Sequence, residues 1–271
     1  EIMRNVKEKN PLVHCITNYV TVNDCANIIL ASGASPIMAD DASEVEDIVS
    51  ISSALVLNIG TLNERTVNSM LIAGKKANEL NIPVIFDPVG AGASKFRTEV
   101  TRKIMNEIDL ALITGNISEI KTIVKGSGKT KGVDASKEDE IKEENIDIII
   151  DMAKKLSKDT NAIISITGEI DVIANENDAY IVRNGHKIMP MITGTGCMLT
   201  SIIGGYIAAN PGNILKATTV ATALMGLSGE RAFKKIEKNN EGTSSFRNYL
   251  IDNIYLINEE DIGKDGKIES K

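Results

Sequence analysis

The run Thr193-Gly194-Thr195-Gly196-Cys197 leads into the apolar stretch that begins Met198-Leu199-Thr200. Two glycines there let backbone N–H groups converge on a ligand, and a helix starting at this point aims its positive end at the same place. That arrangement stabilises charge developing on a transferred phosphoryl group. The other reading is a tight turn that packs a helix on a sheet. Cys197 falls in the first helical turn, where a thiol pKa is expected to be lowered, unless it is a buried, inert thiol. Asp87 ends the apolar run Pro83 to Phe86, the place where open parallel sheets bind their ligands. Glu119, in Gly115-Asn116-Ile117-Ser118-Glu119, opens the helix after the next strand. Two such carboxylates suffice for a hydrated Mg²⁺, which takes few protein ligands and keeps several waters. Each also reads as a cap of its own turn or helix. His14 and His186, far apart in strand-like surroundings, read as core or edge residues and not as metal ligands or bases.

Two glycine motifs are set aside. Gly126-Ser127-Gly128-Lys129-Thr130 looks like a phosphate loop, but GxxxxGK[ST] requires a glycine where this chain has Ile123. Gly90-Ala91-Gly92-Ala93-Ser94 starts like a dinucleotide fingerprint, but Lys95 stands where the third glycine belongs. Pro88 also breaks the direct passage from strand to helix.

The elements that must position these residues alternate. Strands are predicted over Leu12 to Thr17, Ala54 to Ile59, Pro83 to Phe86 and Leu110 to Ile113. Helices are predicted over Ala26 to Ala31, Asn63 to Leu80 with Asn63 as N-cap, Thr98 to Ile108 and Ile117 to Val124. Strands running into polar or glycine-rich turns and then helices mark a parallel sheet with crossovers. Gly126 to Glu144, dense in Lys, Gly, Asp and Glu, reads as an exposed loop. After a helix over Ile146 to Leu156, four strands follow closely: Ile163 to Thr167, Asp171 to Ala174, Ala179 to Val182 and Lys187 to Met189. They form a meander, with turn signals at Asn175 to Asp178 and at Asn184-Gly185. Helices over Met198 to Ala209, Asn213 to Lys234 and Thr243 to Asn253 complete the chain. There is no internal repeat and no linker-like break in composition, so 1–271 is expected to be a single domain.

The chain has 271 residues, 42% hydrophobic, and a net charge of −7. At that size roughly 70 per cent of the surface can be buried, enough for a large core without disulfide staples. The hydrophobic content excludes disorder. A net negative chain with nine aromatics (four Phe, five Tyr) and no tryptophan is a poor nucleic-acid binder. Cys15, Cys25 and Cys197 leave one cysteine over under any pairing and contain no CxxC, which points to reduced thiols and no zinc. The longest apolar segment, Cys197 to Ala209, is too short to span a bilayer. A cytoplasmic location without membrane partners is expected.

Taken together the residues resemble the hydroxyethylthiazole kinase family, within the ribokinase-like superfamily, from Pro11 to about Asp261. The resemblance rests on His14-Cys15-Ile16-Thr17-Asn18, Ala26-Asn27, Gly33 to Ala39, Leu57 to Leu62, Asp87 to Gly92, Gly115-Asn116 with Ser118-Glu119, Lys131-Gly132-Val133-Asp134, Ile166 to Glu169 with Asp171, and Gly194 to Cys197. Superfamily members usually carry Asp after the second glycine of the last motif, and this family has Cys.

The resemblance implies a three-layer α/β sandwich with a mostly parallel sheet. It further implies ATP-dependent phosphorylation of the primary alcohol of 4-methyl-5-(2-hydroxyethyl)thiazole in thiamine salvage, a Mg²⁺ cofactor, and a homotrimer with active sites at subunit interfaces. By that resemblance Asn18, Met38 and Gly194 contact the thiazole, and Cys197 sits beside the reacting hydroxyl with Gly194 and Gly196. Asp87 and Glu119 serve metal and nucleotide, and Thr167 the nucleotide. Thr114 lies at the nucleotide in place of the family's usual Arg, so that phosphate contact does not carry over. Lys129 and Lys131 are candidates to supply the missing charge. A hydroxymethylpyrimidine kinase or a dehydratase of hydrated nicotinamide cofactors would share the fold, but Cys197 counts against both. A vitamin-binding relative without catalysis is the non-enzyme alternative, with Thr114 its one hint.

Overall fold

A computed structural model describes residues 1–126 and 141–271. In chain order the first half runs α1 (Ile2–Lys9), β1 (Leu12–Ile16), α2 (Val22–Ser32), β2 (Ser35–Met38), α3 (Val45–Ser50), β3 (Ala54–Asn58), α4 (Glu64–Glu79), β4 (Val84–Asp87), α5 (Lys95–Glu107), β5 (Leu112–Asn116) and α6 (Ile117–Gly126). The second half runs α7 (Ile146–Thr160), β6 (Ile163–Thr167), β7 (Asp171–Ala174), β8 (Ala179–Val182), α8 (Thr195–Ala209), α9 (Ile214–Asn239), α10 (Thr243–Leu256), α11 (Glu259–Asp265) and β9 (Ile268–Ser270).

The strands form one sheet in the order β2-β1-β3-β4-β5-β6-β7-β8-β9. Pairings from β2 to β6 are parallel, and those from β6 to β9 antiparallel. Side-chain alternation along each strand divides the core in two. In β3, Leu55 and Leu57 face a layer with Met70 of α4, Ile104 of α5, Ile120 of α6 and Ile150 of α7. Ala54 and Val56 face the opposite layer, with Ile28 of α2, Ile202 of α8, Leu224 of α9 and Phe246 of α10. Helices therefore cover both faces, as all-parallel strands with apolar residues on each side require. The expected three-layer sandwich is what the chain forms.

Local signals act where expected. Asn63 caps α4 with a full capping box, its side chain accepting from the Thr66 N–H while the Thr66 hydroxyl faces the Asn63 N–H. The predicted bounds of β6, β7 and β8 match the structure. The expected fourth strand of the meander does not form at Lys187 to Met189. Pro190 follows directly, and a residue without an N–H cannot extend a ladder, so Met189–Met191 makes a 3₁₀ turn instead. The position beside β8 is taken by β9, and Asn184 directs the exchange by accepting the Lys267 N–H on its side-chain oxygen. Most of the expected exposed loop (Gly126 to Glu144), and all of the glycine-lysine motif but Gly126, which ends α6, fall on residues 127–140, outside the described residues. At its far end Ile141 is buried in the core. His14 is a core residue whose Nε2 donates to the Ala39 carbonyl at 2.7 Å, and burial lowers its pKa. His186 stacks on Phe233. All three cysteines are free thiols. Among the described residues no helix is long and apolar enough to cross a membrane.

Candidate active site

Because β2 lies on one side of β1 and β3 on the other, the strand order reverses at β1, the kind of switch point where the carboxyl edge of an open sheet leaves a crevice. A cleft of about 470 Å³ lies there. Asn18 reaches it from the end of β1, Asp87 from β4, Thr114 and Asn116 from β5, and Thr167 from β6. The opposite wall is the start of α8, from Thr193 to Thr200.

Helix α8 is buried almost all round, which leaves its first turn as the one part that meets the cleft. Its N-cap, Gly194, has φ +85°, and a side chain there would run into Thr21. The cap supplies no side-chain acceptor, and the first amide with a partner is that of Met198, bonded to the Gly194 carbonyl. The N–H groups of Thr195, Gly196 and Cys197 thus lack an acceptor among the described residues. A Cβ built on Gly196 would meet nothing within 4 Å, so this glycine leaves room on the cleft side that protein does not fill. Three free donors at a helix N-terminus form an anion site.

Around Cys197 runs a closed hydrogen-bond network. Asn58, at the end of β3 and in register with Asp87, donates from Nδ2 to Asp87 Oδ2 at 2.9 Å and to Cys197 Sγ at 3.2 Å. Asn18 Nδ2 donates to Asn58 Oδ1 at 3.0 Å and to Cys197 Sγ at 3.4 Å. Thr200, one turn into α8, donates its hydroxyl to Asp87 Oδ2 at 2.8 Å. Burial, then the nearby Glu119, push the Asp87 carboxyl up to about 7 against the pull of Thr200 and Asn58. Burial followed by the Asp87 charge push the Cys197 thiol up to about 11. The expected lowering of that thiol does not occur. The helix start favours a thiolate, but desolvation and a neighbouring carboxylate oppose it and win.

Glu119 is fixed from two loops, accepting the Gly90 N–H on Oε1 and the Asn116 N–H on Oε2, each at 2.8 Å. Burial raises its pKa. Arg97 does not line the cleft but ties the loops behind it, donating to the carbonyls of Ile59, Val89 and Gly60. Among the described residues no lysine or arginine lines the cleft, and its charged groups are Asp87 and Glu119.

A sequence model of the hydroxyethylthiazole kinase family matches residues 3–260. A hydroxyethylthiazole kinase of Clostridium acetobutylicum is 53% identical over 270 residues, covering 100% of this chain and 98% of that protein. The chain belongs to the hydroxyethylthiazole kinase family. The solved structure of a hydroxyethylthiazole kinase from Pyrococcus horikoshii superposes with a TM-score of 0.89 at 34% identity, covering 100% of this chain and 97% of that one. A ribokinase-like superfamily protein from Enterococcus faecalis shares the fold at a TM-score of 0.62 and 12% identity, over 94% of this chain and 88% of that one.

Of the residues taken from the resemblance to hydroxyethylthiazole kinases, Asn18, Asp87, Thr114, Glu119, Thr167, Gly194, Gly196 and Cys197 all line the cleft. Met38 does not. It ends β2, half-buried against the α2 and α8 side of the core. Lys129 and Lys131 lie outside the described residues. Sequence reasoning missed Asn58, Thr21 and Thr200 as site residues. The available signal was position: Asn58 is a polar residue at the end of a fully buried strand, level with Asp87.

Proposed function

We propose that residues 1–271 act as one ribokinase-like domain that transfers the γ-phosphoryl group of ATP to the primary alcohol of hydroxyethylthiazole, in the cytoplasm. The observation that carries this reading is the convergence of three free α8 amides, two buried carboxylates and Cys197 on one cleft in a chain of this family. Phosphoryl transfer passes through a loose transition state whose charge spreads over the equatorial oxygens, so positioning and electrostatic stabilisation do most of the work. The N–H groups of Thr195, Gly196 and Cys197 receive the transferred group. Thr167, Thr114 and Asn116 flank the nucleotide. Asn18 and Gly194 border the thiazole, and Cys197 holds the acceptor hydroxyl.

The donor set fits a hydrated Mg²⁺. Asp87 and Glu119 are both raised by burial, and a cation would relieve their mutual repulsion. Among the described residues the hydrogen bonds to the Asp87 carboxylate fall on Oδ2, which would leave Oδ1 for a metal-bound water. When bound, the ion would neutralise charge on the phosphates. With its thiol near 11, Cys197 is neutral at physiological pH in the free enzyme, which favours orienting the hydroxyl over taking its proton.

Assembly into a trimer, with Met38 delivered to the site of a neighbouring subunit, is part of the same proposal. Met38 stays outside the cleft of its own chain, and Val20, which lines that cleft, stands 56% exposed, with its chain neighbour Tyr19 at 78%. Light scattering on a fully active monomer would sink it. The activity itself is tested by ADP release with MgATP and the thiazole alcohol, the pyrimidine alcohol or no acceptor. The expected result is fast turnover with the thiazole alcohol alone. Equal rates, or turnover with the pyrimidine only, reject the specificity.

A further inference from the structure

Asn58 has every hydrogen-bonding position of its side chain filled. The backbone N–H of Gly60 donates to Oδ1 at 2.9 Å, and an N–H can only donate, so that atom is the amide oxygen. Asn18 Nδ2 donates to the same oxygen at 3.0 Å. The two hydrogens on Nδ2 then go to the Asp87 carboxylate and to Cys197 Sγ. Flipping the amide would set donor against donor at Gly60 and acceptor against acceptor at Asp87. Asn18 is fixed in the same way, because the Thr21 N–H and the Thr21 hydroxyl both donate to its Oδ1 at 3.0 Å. Its Nδ2 is left to face Asn58 and the sulfur. Neither orientation is free to change without breaking a bond to backbone.

The sulfur therefore receives two amide N–H groups whose directions are set from outside the site. A thiol carries one hydrogen, and with donors on two sides that hydrogen has to turn elsewhere. The Thr21 hydroxyl also neighbours the sulfur, but it already accepts from the Cys25 thiol and gives its own hydrogen to Asn18 Oδ1. Cys197 is half-buried and lines the cleft, so the open direction is toward the ligand.

We propose that Asn58 is the positioning residue of Cys197: its Nδ2, aligned by the Gly60 amide, holds Sγ as a hydrogen-bond acceptor and turns the S–H into the cleft. There the S–H meets the oxygen of the acceptor alcohol through one lone pair and leaves the other free to approach phosphorus. The alcohol step rests on the kinase reading above, whereas the fixed sulfur does not. Asn58 itself touches no reacting atom.

Asn58→Leu removes the bond at nearly constant size. Asn58→Asp keeps an acceptor for Gly60 and Asn18 but loses the donors to sulfur and to Asp87, which its carboxyl then faces. It guards against a folding failure of the leucine variant, and the Cys197→Ala background separates the effect at Asp87 from the loss at sulfur. Each is made in the wild-type and in the Cys197→Ala background. With the thiazole alcohol and MgATP, both variants are expected to lose roughly tenfold in kcat in the wild-type background, the scale of one lost hydrogen bond. KM for ATP should hold. In the Cys197→Ala background the same changes should cost about twofold or less, because residues that act as one unit are non-additive. An equal loss in both backgrounds would mean that Asn58 acts through Asp87 or through packing, and overturns the proposal. So would full activity of Asn58→Asp.

Alkylation of Cys197 by iodoacetamide, followed by mass spectrometry at one fixed pH without substrate, tests the fixed sulfur alone. Both variants should react several-fold more slowly than wild type, since an N–H donor to the attacking sulfur is gone. A rate equal to or above that of wild type overturns the proposal. If wild type fails to phosphorylate the thiazole alcohol, the kinase reading falls, and the alkylation series still decides the role of Asn58.

Discussion

Gly194 and Gly196 are two residues apart, yet alanine at each should fail in different ways. In helical Gly196 an added Cβ meets no atom within 4 Å. Alanine there restricts the unfolded chain and leaves native contacts undisturbed, which stabilises by about 0.4–1 kcal/mol. For a domain of this size that raises the melting temperature by about 2 °C. A helical Cα–Cβ bond tilts toward the N-terminus, the end to which the free N–H groups of Thr195, Gly196 and Cys197 also point. The methyl group would then stand among the donors proposed to receive the phosphoryl group. Loss of one such donor costs about 10²–10³ in kcat. Gly196→Ala is therefore expected to be a slightly more stable and nearly inactive protein.

Gly194→Ala meets two obstacles. At φ +85° an L-residue is strained by about 1–2 kcal/mol. Its Cβ would also overlap the Thr21 side chain, with Cβ of Thr21 2.9 Å away. Overpacking of that kind adds about 1–3 kcal/mol. Thr21 fixes Asn18, so the disturbance passes to the sulfur network as well. Both stability and activity should fall. Thermal melting and ADP release on the two variants, side by side, separate the cases. If Gly196→Ala keeps more than half of the wild-type kcat, the start of α8 is not where the phosphoryl group sits. If it melts as low as Gly194→Ala, the space beside Gly196 is not open.

Cys197→Ala should leave a slow kinase, down about 10²-fold; a Cys197→Asp variant that matches or exceeds wild type with normal thiazole binding would assign a proton-accepting role to this position and overturn the orienting one. Burial pushes the Asp171 carboxyl up to about 7 from the ordinary 3.8, with the Gly168 N–H its one hydrogen-bond donor among the described residues. The folded protein then holds a proton that the unfolded chain releases, so stability present below about pH 4 is lost as pH rises through about 7. Asp171→Asn keeps an acceptor for Gly168 and should melt above wild type at about pH 8, with the gain vanishing near pH 4. A pH-independent difference refutes the burial argument.

What was legible in the sequence divides along physical lines. Runs of β-branched and aliphatic residues such as Ile163 to Thr167 announce buried strands, because little else accommodates them between two helical layers. Asn63 announces a cap because its side chain has a specific local partner. Elements that depend on distant neighbours are silent. β9 carries one aliphatic residue and exists because β8 and Asn184 offer it an edge. β2 contains Pro36, tolerated at the sheet margin where β1 is its one neighbour. α1 is half charged and buries Met3 and Val6.

The site shows the same division. Asp87, Glu119 and the glycine turn can be read from type and position at strand and helix ends. Asn58 and Thr200 cannot, since an amide or hydroxyl gains its role from what the sheet register brings beside it. The lowered thiol expected at Cys197 failed for a related reason. A local rule about helix starts omits the burial and the Asp87 charge, which only the tertiary structure supplies.

That correction bears on how a thiol can stand where the wider superfamily places a carboxylate. Two carboxylates already border this cleft, and no cationic side chain among the described residues lines it. In the proposed reaction the stabilising donors are the backbone amides at the start of α8. If those amides meet the phosphoryl charge, as proposed, and the transition state is loose, the group beside the alcohol has mainly to orient it. A neutral sulfur held by Asn58 and Asn18 can do that without adding a third negative charge beside the phosphates. That proposed division of labour would account for fixed hydrogen bonds that aim the sulfur while burial and Asp87 keep it un-ionised. It makes chemistry at Cys197 a matter of direction more than of basicity, and the Asn58 series in the Cys197→Ala background measures that difference.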